Sequence, residues 1–323
     1  MTEVGTIENG VAIGHERTLF LAGGSHEPVA FATGERVPSP ASFGVFRRNL
    51  AERAEWAARN GAAYVHVIFP DKQSYAPELW PFGTPRRLGD MYLSACEPAE
   101  RAKIMYPVPL LLANRALVTS RIDTHLTMAG CAMVAAELVR RITGHDQSAR
   151  LRDILSDLTE PKEVSGDLGS KLDPPWTDTL YVSGTLPPGR FISNQIAGGN
   201  NGMVDIRIAR RAAFGLRVLI FGDSFARQVS TYLPWFFSEI LFCRTAFFHP
   251  EIAEAYRPDV LITSNAERYL SNPPPDESRP SFLTYPWLNG GTHSPSKEFA
   301  RALSAMLSFP RAPYREFIAD IRT

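Results

Sequence analysis

Arg217-Val218-Leu219-Ile220-Phe221-Gly222-Asp223-Ser224-Phe225-Ala226 is the stretch that decides the fold. A short apolar run breaks at Gly222, Ser224 follows two residues later, and a helical segment is expected from about Phe225. A serine on a sharp strand-to-helix turn projects its hydroxyl out of the chain, and backbone N–H groups at the new helix start can stabilise an oxyanion. Downstream, 229–240 reads as a helix whose Tyr232, Trp235, Phe236 and Phe237 suit a core. Leu241 to Phe248 and Pro258 to Thr263 read as strands, the second ending in Ser264-Asn265. The alternation of strand, helix, strand, short helix and strand is half of a doubly wound sheet.

Upstream, Thr18 to Leu21 reads as a strand entering the turn Gly23-Gly24-Ser25, and Val29 to Phe31 as a second short strand. Pro40 opens a helix with Phe43, Phe46, Leu50, Ala54 and Ala57 at helical spacing, stopped by Asn60-Gly61. Ala63 to Phe69 is a β-branched and aromatic run, hence a buried strand, and completes a β-α-β start. His66, inside it, reads as a core histidine. Tyr75, Pro77, Trp80 and Pro81 follow at its carboxyl end, where open α/β sheets bind ligands. These aromatics suit either sugar-stacking walls or loop packing.

Pro107 to Leu112 is a short strand or helix. Asp123-Thr124-His125-Leu126-Thr127 precedes a helix carrying Met133, Val134, Leu138 and Ile142, with Gly144 as its stop. Residues 145–175 are polar and turn-rich, and short strands are expected at 178–184, 190–194 and 203–208. The expectation is a single α/β domain over 1–323, with an insertion at about 145–215 and a C-terminal loop and helical tail at about 271–323. Within that tail, Ser296 to Leu307 reads as an amphipathic helix.

The chain has 323 residues, 44% of them hydrophobic, which is ample for a core. Lys+Arg and Asp+Glu both number 34. A neutral balance argues against nucleic acid or an anionic membrane as partner. Cys96, Cys131 and Cys243 have no metal-ligand spacing, and an odd count leaves at least one unpaired. Reduced thiols are the simplest account. The N-terminus has an acid at Glu3 and no long apolar run, so the expectation is a cytoplasmic protein, or a periplasmic one if the sequence is a processed fragment.

A serine nucleophile needs a base, and the base needs an orienting acid. His125 is the best candidate base and Asp123, two residues away, can hold its imidazole; His249 and His293 are rivals. A metal held by Asp123 and His125 finds no third or fourth ligand at helpful spacing, so no metal is expected. For the oxyanion, the Ser224 N–H is one donor and Asn265, near a strand end, is another. Asn200 and Asn201, in the Gly-rich stretch 198–202, are alternatives.

Several stretches together resemble the alginate O-acetyltransferase family, a branch of the SGNH hydrolases. They are Leu19-Phe20-Leu21-Ala22-Gly23-Gly24-Ser25; Pro70-Asp71-Lys72 with Tyr75 and Pro77-Glu78; Asp123-Thr124-His125; Gly166-Asp167-Leu168-Gly169-Ser170-Lys171; Gly222-Asp223-Ser224-Phe225; and Arg257-Pro258-Asp259-Val260 running to Glu267-Arg268-Tyr269-Leu270. They occur in the family's order over roughly residues 18–272. The resemblance implies an SGNH-hydrolase-like (flavodoxin-like), mostly parallel sheet with helices on both faces and a permuted order of catalytic blocks. It implies a Ser224–His125–Asp123 triad that moves acetyl groups to polysaccharide hydroxyls through an acetyl-serine. Lys72, Tyr75 and Arg268, in the matching stretches, are candidate substrate contacts. This chain has Leu126 where the family has Trp, and Ser264 where it often has an acid.

The expected activity is an O-acetyltransferase that needs an acetyl donor of unknown identity but no cofactor. Its acceptor is a carbohydrate, and a membrane partner that passes the acetyl group on is the family-based expectation for the donor side. An acetylesterase of the same fold, with water as acceptor, and a non-catalytic glycan-binding module are the competing readings.

Overall fold

The computed structural model describes residues 3–185, 187–196, 201–288 and 294–307. Val218 to Phe221 are buried, as a continuous apolar run requires when a parallel strand is covered on both faces. In chain order, β1 (Ile7–Glu8), β2 (Val11–Ile13) and β3 (Leu19–Leu21) make a small antiparallel sheet. Then come β4 (Ala63–Phe69), β5 (Ile104–Met105), and β6 (Leu158–Val164), which pairs with β7 (Asp178–Ser183) in a separate two-stranded sheet. They are followed by β8 (Arg190–Ser193), β9 (Val204–Ile208), β10 (Phe214–Gly222), β11 (Phe237–Arg244) and β12 (Val260–Ala266).

Among the described residues, the main sheet has seven strands in the order β5-β4-β12-β10-β11-β9-β8. The first five are parallel, β9 is antiparallel to β11, and β8 is antiparallel to β9. Helices cover both faces. Met128–Thr143 and Ser224–Ser230 pack on Val67, Ile220 and Ile262. Pro40–Arg59, Pro250–Tyr256 and Lys297–Leu307 cover the opposite side, against Ile68, Leu219, Phe221 and Leu261. From β10 the chain moves to β11 on one side, then through Pro250–Tyr256 to β12 on the other. The carboxyl end of β10 is therefore a switch point, where an open α/β sheet leaves a crevice.

Pro40 stands in the first turn of Pro40–Arg59, Asn60 closes that helix and Gly144 (φ 75°) closes Met128–Thr143, as expected; the N-terminal caps were not read from the sequence. Ser39 caps Pro40–Arg59 by accepting from Ser42 N, and Thr127 caps Met128–Thr143 by accepting from Gly130 N at 3.1 Å. The three cysteines are free and buried. Among the described residues, no helix is long and apolar enough to cross a membrane.

Four expectations are corrected. Val29 to Phe31 lies in a helix, Pro28–Thr33, because Pro28 fixes φ at its first turn and Gly34 (φ 82°) closes it. β3 pairs with β2 outside the main sheet, so the β-α-β start does not form there. The helix after Ser224 ends at Ser230; a 3-10 turn with Pro234 follows, and β11 begins at Phe237, earlier than expected. β12 continues through Ser264 and Asn265 to Ala266, so both lie inside a strand. Of the expected strands in 178–208, 190–193 and 204–208 extend the main sheet, whereas 178–183 stands outside it. Asn200 and His293 lie outside the described residues.

Candidate active site

Gly222 ends β10 where no side chain fits: a Cβ there would overlap Ser264 Oγ and crowd Ala226 Cβ. Asp223 then caps the helix Ser224–Ser230, its Oδ1 accepting from Phe225 N at 3.0 Å. Its Oδ2 accepts from Ala266 N at 2.6 Å, tying the turn to the end of β12. This double anchorage fixes Ser224, half-buried, at the head of the helix.

Asp123, Thr124 and His125 occupy the loop before Met128–Thr143. His125 Nε2 lies 2.8 Å from Ser224 Oγ, and His125 Nδ1 lies 2.7 Å from Asp123 Oδ1. The same carboxylate oxygen accepts from His125 N at 2.8 Å. The Nδ1–H therefore donates to Asp123, which leaves Nε2 free to accept from the serine hydroxyl. Phe225 backs the imidazole, with ring centroids 4.7 Å apart. Burial pushes the Asp123 carboxyl up, but hydrogen bonds from the His125 side chain and backbone and from the Asp167 amide outweigh it and hold the group well below the usual carboxylate range.

Asp167 stands beside this pair. Both its oxygens accept from Thr124, from the amide at 2.6 Å and from the hydroxyl, and its own N–H donates to Asp123 Oδ2 at 3.1 Å. Asp123, His125 and Asp167 bring ligand atoms within 4.8 Å of one another, so the third ligand that sequence spacing did not offer is supplied by the fold. All four carboxylate oxygens are nevertheless engaged by N–H or O–H donors, and the cluster reads as a hydrogen-bonded support.

A cavity of about 370 Å³ opens at Gly222 and Asp223 and runs toward Phe46, Pro273 and Pro274. Asn265 and Asn201 line it, with Arg244, Ser264 and Tyr269. Asn265 Oδ1 lies 2.9 Å from His66 Nε2, and His66 Nδ1 lies 2.9 Å from Thr263 Oγ1. Because Oδ1 can only accept, Nε2 carries the proton and Nδ1 accepts from the threonine. Burial, with Arg53 nearby, pulls His66 down to about 3; it is a neutral core histidine that orients Asn265. Asn265 Nδ2 gives one hydrogen to Ala266 O at 2.9 Å.

The other expected contacts sit elsewhere. Tyr75 is fully buried and Trp80 packs edge-on against Phe20, so these aromatics are packing and not walls. Lys72 is buried behind the Asp123 loop and donates to Leu19 O at 2.6 Å; burial pulls it down to about 7 against the pull of Asp123 and Asp167. Arg268 is buried in an ion pair with Asp71 at 2.6 Å and borders a separate hollow with His26 and Tyr269. His249, a rival base, is fully buried, with Nε2 3.0 Å from Thr245 Oγ1 and Nδ1 3.2 Å from Glu251.

Comparison with solved structures fits this architecture. Bacillus cereus PatB1 superposes with a TM-score of 0.56 at 10% identity, over 73% of this chain and 92% of its own. A DHHW family protein from Eubacterium siraeum superposes with a TM-score of 0.53 at 13% identity, over 83% and 94%. The fold is SGNH-hydrolase-like. The O-acetyltransferase domain of Pseudomonas putida AlgJ also aligns, at 16% identity over 87% and 97%, but a TM-score of 0.47 is too loose to bear on function. No protein-family model and no curated protein matches the chain.

Within this SGNH-like frame, two site residues went unread in the sequence. Asp167 stands in the stretch 166–171 that carries the family resemblance, but the sequence reading gave it no role. Arg244 was signalled only by register: it pairs with Gly222 across β10 and β11, which puts its side chain beside the turn.

Proposed function

We propose that the chain is a serine-dependent O-acetyltransferase that passes an acetyl group to a carbohydrate hydroxyl through an acetyl-serine. The observation that carries this reading is the hydrogen-bonded series from Asp123 through His125 to Ser224. Acetyl as the transferred group, and a glycan as acceptor, rest on the motif order that resembles the alginate O-acetyltransferases. On the donor side, a membrane partner that hands the group on follows from the same resemblance.

The steps balance with these groups alone. His125 Nε2 takes the Ser224 hydroxyl proton as Oγ bonds to the donor carbonyl carbon. The tetrahedral intermediate expels the donor's leaving group, which receives that proton, and acetyl-Ser224 remains. The acceptor hydroxyl then gives its proton to Nε2 and attacks the acetyl carbon, and Ser224 leaves with the proton. Asp123 keeps the tautomer and stabilises the transient imidazolium. The Phe225 amide is spent on Asp223. We therefore assign the oxyanion to the Ser224 N–H and the remaining Nδ2 hydrogen of Asn265, with Asn201 in the same cavity.

The test is intact-mass spectrometry during turnover of p-nitrophenyl acetate, with Ser224→Ala and His125→Ala alongside. An acetyl adduct on Ser224 that decays faster with added oligosaccharide, with the acetyl recovered on the sugar, is the expected result. An adduct lost to water at one rate with or without sugar makes the chain an esterase. Neither adduct nor nitrophenol in the wild type leaves a glycan-binding module.

A further inference from the structure

Residues 166–169 are fitted to the Asp123 loop at unusually close range. Gly166 has φ +61°, and a Cβ there would strike Ile122 O and come within 3.0 Å of Asp123 Cβ. A Cβ on Gly169 would strike Trp176 O. Leu168 N and Gly169 N both donate to Ile122 O, at 3.1 and 2.9 Å. Gly166 thus lets a separate segment lie directly on the backbone that enters Asp123-Thr124-His125, while Gly169 makes room for Trp176. The product of that approach is reciprocal. Asp167 N–H holds Asp123 Oδ2, while the Asp167 carboxylate holds the Thr124 amide and hydroxyl. Asp123 Oδ2 is occupied, so the carboxylate cannot rotate away from the His125 imidazole. Thr124 Oγ1 lies 3.4 Å and Asp167 Oδ2 lies 3.9 Å from His125 Nδ1.

We propose that Asp167 is a positioning residue of this site, which locks the Asp123-Thr124-His125 turn and sets a second negative charge beside His125. The inference rests on the catalytic reading above for its effect on rate, but not for its effect on His125 itself. Among the described residues, other charged and titratable groups act on this cluster. Asp123 bonds His125 directly. Lys72, from the helix Lys72–Tyr75, acts on both carboxylates. Cys131 and Tyr75 are buried near Asp123. The Asp71–Arg268 pair lies across Phe225, with Arg268 5.3 Å from that ring. Asp167 is the most exposed member, its side chain 42% accessible, so its charge is partly screened and its influence modest.

Asp167→Asn keeps an oxygen for the Thr124 amide and removes the charge. The first readout is the NMR titration of the His125 ring in the wild type and in this variant, with melting curves confirming that both are folded. The expected result is a His125 titration displaced to lower pH in the variant, the direction that loss of a negative charge 3.9 Å from Nδ1 requires. The second is the pH profile of nitrophenyl acetate turnover. We expect its acid limb to move down with the His125 pKa, kcat to fall by about tenfold with KM little changed, and Asp167→Glu to restore the limb and part of the rate. An unmoved His125 titration in a folded variant overturns the proposal. So does a rate loss with an unmoved limb that Glu does not rescue, which marks a purely structural role. A wild type without turnover sinks the catalytic reading, while the NMR shift still decides whether Asp167 acts on His125.

Discussion

Ser224 projects only because Gly222 lacks a side chain. Gly222→Ala would push a methyl group into Ser264 Oγ and Ala226. The expected cost is about 1–3 kcal/mol of stability, the usual penalty for overpacking, with a loss of nitrophenyl acetate turnover as the serine shifts. Urea denaturation followed beside the rate checks both; an unchanged midpoint means that the turn relaxes without strain. Asp123→Asn preserves shape but removes the charge and the constraint on the tautomer. A fall in kcat of about 10³- to 10⁴-fold is expected from the behaviour of such triads. A loss smaller than tenfold, in a folded variant, would show that Asp123 does not act on the imidazole as drawn.

Whole elements meet at the switch point through a few polar anchors. Asp223 serves the helix Ser224–Ser230 as its cap and β12 through Ala266 N. Asp223→Ala therefore loses a cap and leaves a strand-end amide without its acceptor, about 1.5–5 kcal/mol in all; thermal unfolding measures it. On the other face, Arg53 of the helix Pro40–Arg59 makes a buried two-point bond to Asp276, at 2.7 and 2.8 Å, and Asp276 also accepts from Phe248 N at 2.9 Å. Removing one partner strands a buried charge, so Asp276→Ala should cost about 3–5 kcal/mol. Replacing both partners by apolar residues should cost less, and denaturation of the single and double variants tests that ordering.

At the scale of the molecule, the neutral core histidine makes stability depend on pH. His66 titrates near 6.5 when unfolded and at about 3 when folded. Its contribution is complete above the unfolded value and is lost as pH falls toward the folded one, because only the unfolded chain takes up the proton in that window. Between about pH 7 and pH 5 the loss should be about 2 kcal/mol. Glu267 works in the opposite sense: burial and Asp71 push it up to about 7 despite donors from Ser74, Tyr106 and Gly89, so it favours the fold as pH falls toward its unfolded value. The difference between wild type and His66→Gln isolates the histidine. Parallel pH curves for the two would show that His66 is not the group responsible.

Local signals were enough for the strand into Ser224, the helix opened by Pro40, the amphipathic helix near the C-terminus and the Asp-x-His loop, because periodicity, proline and glycine breaks act between near neighbours. The pairing of His125 with Ser224 spans 99 residues, and the sequence could name those two only as candidates among several histidines. The tertiary structure alone brought them to 2.8 Å, set Asp167 against the Asp123 loop, placed β3 outside the main sheet, and buried Tyr75, Lys72 and His249. Those outcomes depend on which distant segments share a sheet edge or a core, and on what each buried polar group finds to bond. A chain read along its length contains neither.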